Sequence, residues 1–161
     1  MIRRKDTGYF KPIPAAPSAV SFSVKRRVAL SEVDVLGIVW YGRYPLYFEE
    51  VSQELGRRCG LSFQNFYQAN LRAPIVQFHI DYHQPLRLDE EFTSRASVPW
   101  CEGAKLLTDY EIRKVDGTLV TTAYTVQLFI DGRSEEVYIA TPKLLENLRQ
   151  RWLAGEFTCL K

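Results

Sequence analysis

Cysteine is scarce in this 161-residue chain: three residues, Cys59, Cys101 and Cys159, stand far apart with no CxxC spacing. That argues against a disulfide framework and against a zinc knuckle, and it fits a reducing compartment, the cytoplasm. No apolar run is long enough to span a bilayer. Arg3, Arg4 and Lys5 are not followed by an apolar stretch of signal-peptide length. Net charge is only +2, and no basic stripe exists beyond Lys25-Arg26-Arg27, so nucleic acid is not the expected partner. Ser52 and Ser62 lack a Gly-x-Ser-x-Gly context, which argues against a serine hydrolase. No glycine-rich phosphate loop and no internal repeat is found.

What is present is a core-forming composition. Hydrophobic residues make up 46% and charged residues 25%, which suits one folded domain rather than a disordered chain. Residues 1–20 read as a flexible arm, because Pro12, Pro14 and Pro17 interrupt any regular element. Tyr9 and Phe10 in that arm are candidates to pack on a neighbouring subunit. A strand follows, with Phe22, Val24, Val28 and Leu30 on one face and Arg26 interrupting it. Tyr44, Tyr47, Phe48, Val51 and Leu55 then recur at three- and four-residue steps, which predicts a helix ended by Gly60. Its length of about 16 residues gives ~24 Å, enough to run along a sheet. A shorter helix is predicted over 62–69. Four strands with hairpin-like links come next, near 76–82, 92–100, 106–114 and 119–130, with Asp116-Gly117 as a hairpin turn. Thr141 and Pro142 open a last helix. The order predicts an α+β fold in which an antiparallel sheet buries one face on the long helix.

One segment carries chemistry: Asp34-Val35-Leu36-Gly37-Ile38-Val39-Trp40-Tyr41-Gly42-Arg43-Tyr44. A carboxylate in a glycine-ended turn stands just before a helix start, where backbone N–H groups lack intrahelical partners and attract negative charge. An acid facing such an oxyanion site suits cleavage of an activated acyl group. The bland alternative for Asp34 is a turn or capping aspartate. Glu49 and Glu50 fall away from the apolar stripe, and a solvated or interface role suits them. His79, Asp81 and His83 share a strand face, but the outer pair is ~13 Å apart in an extended strand, so no metal site is expected. Arg87, Arg95 and Lys105 are loose candidates for phosphate contacts.

This segment, followed by Ile80-Asp81-Tyr82-His83-x-Pro85-Leu86-Arg87-Leu88-Asp89-Glu90, resembles the acyl-CoA thioesterases of the 4-hydroxybenzoyl-CoA thioesterase class, which have the hotdog fold: a curved antiparallel sheet of about five strands around one central helix. The resemblance covers roughly residues 21–152. It implies hydrolysis of an acyl-CoA thioester to free acid and CoA. It makes Asp34 the catalytic carboxylate, as nucleophile or general base, and the backbone N–H of Tyr41 the oxyanion donor. Gly37, Val39, Trp40, Tyr44 and His83 would contact substrate. Tyr41 replaces a histidine found in many relatives. No cofactor is required, and a homodimer or homotetramer with the site between subunits is implied. The alternatives are a thioesterase acting on acyl carrier protein and a non-catalytic acyl-CoA-binding protein.

Overall fold

The computed structural model describes residues 8–158 and residue 160; Cys159 lies outside the described residues, as does the arm before Gly8. The elements are β1 (Val20–Arg27), α1 (Tyr44–Cys59), α2 (Phe63–Gln68), β2 (Leu71–Arg72), β3 (Ile75–Tyr82), β4 (Glu91–Val98), β5 (Lys105–Lys114), β6 (Leu119–Leu128), β7 (Ile130–Asp131) and α3 (Lys143–Leu153). Five strands form one antiparallel sheet in the order β1-β4-β5-β6-β3, and β2 pairs with β7 in a second, two-stranded sheet. With α1 packed on one face, this is the hotdog architecture.

Alternation fixes which face is covered. Phe92, Ser94, Ala96 and Val98 on β4 and Leu106, Thr108, Tyr110 and Ile112 on β5 are buried, while the residues alternating with them are more open. They meet the stripe Tyr44, Tyr47, Phe48, Val51 and Leu55 of α1, every member of which is buried. Burying a Phe, Val, Leu or Ile among them contributes about 1.5–3 kcal/mol by taking it out of water. Gly60 ends α1 in the left-handed conformation (φ 85°), and Ser62 caps α2 by accepting from the Asn65 N–H.

Two expectations from pattern are corrected. The four later strands are not joined by hairpins throughout. Only β4-β5-β6 is a meander, because β3 crosses to the far edge and pairs with β6. Pro85 stops β3, and the crossing segment buries Leu86 completely. Leu30 leaves the apolar face of β1. It sits in a 3-10 turn, Leu30–Glu32, and is largely exposed. Arg26, which breaks that face, lies over the Tyr47 ring and ion-pairs with Glu32 and Glu50, which places Glu50 against β1.

The described part of the arm, from Gly8 on, packs on its own chain. Tyr9 donates its N–H to Asp109, and its hydroxyl donates to Asp81 and shares a hydrogen bond with Thr122. Its ring and that of Phe10 lie against Tyr124. These partners face away from α1. An alanine at Gly8 would bring its Cβ to 2.4 Å from an Asp109 oxygen.

The edge strand β3 sets up the site. Ile75, Val76, Phe78 and Tyr82 remain exposed on it. It runs opposite in direction to α1: Tyr44 meets Tyr82 (ring centroids 5.3 Å), Phe48 meets Phe78 (6.4 Å), and the far half of α1 reaches the Pro74 end.

Candidate active site

The loop before α1 is a tight hairpin. Val33 bridges Val39, the Asp34 N–H donates to the Ile38 carbonyl, and the Trp40 N–H donates to the Glu32 carbonyl. Gly37 turns it with φ +71° and open space around its Cβ position, so it is the backbone angle, not crowding, that favours glycine. Glu32 anchors the hairpin base, because its carboxylate also accepts from the Ala29 N–H and pairs with Arg26. Tyr47 beside it is held neutral: burial, then the Glu32 charge, push its hydroxyl well above the usual range.

Asp34 is half-buried, and its Oδ1 accepts the Leu36 N–H at 2.8 Å. The carboxylate therefore caps its own turn, as the bland reading holds, and its second oxygen has no protein donor among the described residues. Tyr41 begins a 3-10 turn, Tyr41–Arg43, that runs directly into α1. Among the described residues nothing accepts the N–H groups of Tyr41 and Gly42. Both are first-turn donors at the positive end of the α1 dipole. The Arg43 N–H donates to the Trp40 carbonyl at 2.8 Å, and the Tyr82 hydroxyl donates to the Tyr41 carbonyl at 3.0 Å.

The other residues singled out by resemblance are distributed differently. Trp40 and Tyr41 are exposed beside the helix start, rings 5.0 Å apart. Val39 and Tyr44 are buried in the core, and the Tyr44 hydroxyl accepts the Leu86 N–H. Burial raises the Tyr44 pKa and this donor partly offsets it. His83 bonds Thr122 at 2.9 Å on the face turned away from α1, the same Thr122 that Tyr9 reaches. His79 likewise pairs with Asp81, 3.1 Å away, on that outer face. Arg87 bridges Ile38 at the hairpin, whereas Arg95 bonds Ser21 on the outer face.

Two candidate features escaped sequence reasoning. One is the Tyr82 hydroxyl, since Tyr82 reads only as the last apolar residue of a strand. The other is a cavity of about 1440 Å³ at the C-terminal half of α1. Leu55, Leu61, Phe66, Leu71, Val98 and Leu106 give it an apolar wall, with Ser52, Thr108 and Gln127 as polar points and Arg57, Arg72 and Arg133 at its margin. The cavity lies toward the Pro74 end of β3, while the Tyr41 loop is tied to the Tyr82 end. An eight-residue strand spans ~27 Å. No local pattern brings segments so distant in sequence to one wall.

The family model of the thioesterase-like superfamily matches residues 28–151. A relative from Aquifex aeolicus (strain VF5) is 32% identical over 71 residues, which is 44% of this chain and 56% of that protein. The acyl-CoA thioesterase YbgC of Haemophilus influenzae is 28% identical over 123 residues, 76% of this chain and 89% of that protein. Among solved structures, a 1,4-dihydroxy-2-naphthoyl-CoA thioesterase from Synechocystis superposes with a TM-score of 0.71 at 20% identity, over 81% of this chain and 96% of the other.

Proposed function

The chain belongs to the thioesterase-like superfamily and is a thioester hydrolase; from that premise we propose that its substrates are acyl-CoA esters, cleaved at the Asp34–Tyr41 loop. The observation that carries this is the pair of unsatisfied N–H groups at the start of α1, one hairpin away from a carboxylate with a free oxygen. A thioester carbonyl is already activated, because sulfur donates little electron density to it. The Tyr41 N–H receives the carbonyl oxygen as it gains charge. Asp34 supplies the other half. It either bonds to the carbonyl carbon, expelling CoA thiolate and leaving an anhydride that water hydrolyses, or takes a proton from the water that attacks. In both routes the acid and CoA are released, and the thiolate takes up a proton from solvent. Single turnover in ¹⁸O-water separates them, since only the anhydride route leaves label in Asp34.

The working unit in this proposal is a homodimer. An exposed apolar edge strand is a template for another chain. If two copies of β3 pair antiparallel about a two-fold axis, the Tyr82 end of each meets the Pro74 end of the other. Each Asp34 loop then faces the partner's cavity, which has room for an acyl group that a single protomer leaves distant from the acid. The 1440 Å³ volume exceeds the about 300–1000 Å³ of ordinary ligand pockets, so it leaves room for an acyl group and the part of CoA joined to its sulfur.

Asp34→Asn tests the reading. The asparagine oxygen still accepts the Leu36 N–H, so the melting temperature stays close to wild type, while thiol release from aliphatic and aromatic CoA esters, followed with DTNB, falls by about 10²-fold or more. Undiminished turnover would remove Asp34 from its role.

A further inference from the structure

The Tyr82 hydroxyl is the only side-chain donor to the backbone of the Tyr41–Arg43 turn among the described residues. Its ring lies edge-on against the buried Tyr44, 5.3 Å between centroids, so a core residue as well as the loop sets where the hydroxyl points. A tyrosine hydroxyl is protonated at neutral pH and so serves as a donor there. The carbonyl it holds belongs to the Tyr41–Gly42 peptide, whose N–H is that of Gly42. In a helical first turn the carbonyl points along the axis and the N–H points back out of the N-terminus. A hydrogen bond to the carbonyl also polarises the peptide and strengthens its N–H as a donor. The preceding peptide is treated the same way, because the Arg43 N–H holds the Trp40 carbonyl. Glycine at the second position lets the exposed Trp40 ring lie over the turn. A Cβ at Gly42 would come within 2.3 Å of the Trp40 ring, which packs over it.

We propose that Tyr82 is a positioning residue for the oxyanion site: by holding the Tyr41 carbonyl it sets the Tyr41–Gly42 peptide so that the Gly42 N–H joins the Tyr41 N–H as a second donor to the thioester oxygen. This rests on the thioesterase reading above and extends it to a residue on another element. Because Tyr82 ends the edge strand β3, the donor geometry is tied to the strand at which two copies would meet.

Tyr82→Phe keeps the ring against Tyr44 and removes one oxygen. Expected is a fall in kcat of about 10-fold or more with KM for the same ester within about two-fold, because only a donor to the developing oxyanion is misplaced. Two inhibitors give a readout that a merely structural role would not move. A CoA thioether with CH₂ in place of the carbonyl binds the variant as it binds wild type; a trifluoromethyl ketone analogue, which forms a tetrahedral oxyanion, weakens in step with kcat. The ratio of the two affinities is taken within one preparation, so partial unfolding cancels. Unchanged kcat in Tyr82→Phe, or equal weakening of both inhibitors, overturns the proposal while leaving Asp34 in place. A wild-type protein without turnover on the CoA panel overturns the thioesterase reading and this proposal with it.

Discussion

Asp109 is a residue whose ionisation bears on stability. Desolvation on the outer face of β5 raises its pKa above the ordinary value, and the N–H groups of Tyr9 and Phe10 only partly restore it. For an acid raised in the folded state, the sign is fixed. Its stabilising contribution is complete below the unfolded pKa, near 4, and is lost as pH rises through the higher folded value. Asp109→Asn removes the charge but keeps an oxygen for the Tyr9 N–H. It should melt at a higher temperature than wild type at pH 7, with the gap closing as pH falls toward 3; thermal denaturation followed by circular dichroism at several pH values measures this. A variant that melts lower at pH 7 contradicts the desolvation argument. Residues of this kind divide by how local their causes are. The Asp34–Gly37 turn was legible because its chemistry is contained in four consecutive positions, confirmed by φ +71° at Gly37. Tyr82 was not, because its partner lies 41 positions away and is a backbone carbonyl, which carries no sequence signature.

Among the elements, α1 was readable to within a residue or so, since its apolar stripe, first-turn proline and terminal glycine all act within the helix. The order of strands was not. Alternation says that a segment is a strand and which side is wet, but pairing of β3 with β6 rather than β4 depends on where the crossing segment buries Leu86. The consequence is an edge whose apolar residues have no cover in one chain, and that is the basis for a test at this scale. Val76 sits at the irregularity between Ile75 and Gln77, exposed and outside the core. Lysine at such an edge opposes strand addition. Val76→Lys should therefore shift the protein from dimer to monomer by light scattering, retain its helical circular dichroism, and lose thioesterase turnover. A monomer with full turnover would show that one chain suffices.

At the scale of the whole molecule, the relation between acid and cavity decides how the parts work together. The sequence disclosed the candidate acid but not the cavity, because the cavity is walled by α1, α2, β2 and the ends of β4, β5 and β6, and its existence depends on all of them closing. Since α1 and β3 run in opposite directions, the Asp34 loop and the cavity of one chain lie at opposite ends of the same strand. In the dimer proposed above, a two-fold pairing of β3 would turn that separation into proximity between chains, so that every complete site would take its acid from one protomer and its acyl pocket from the other. Complementation between two inactive variants distinguishes this from a site inside one chain. Asp34→Asn lacks the acid. Ser52→Phe, at a cavity-lining position on α1, fills the pocket. Each alone should fold and be nearly inactive. When the two are unfolded, mixed in equal amounts and refolded, half the dimers are mixed. A mixed dimer has one site with both defects and one site with neither, because the intact acid comes from the Ser52→Phe chain and the intact cavity from the Asp34→Asn chain. Turnover should recover to about a quarter of wild type. If acid and cavity instead served the same chain, every site in the mixture would retain one defect, and no activity would return.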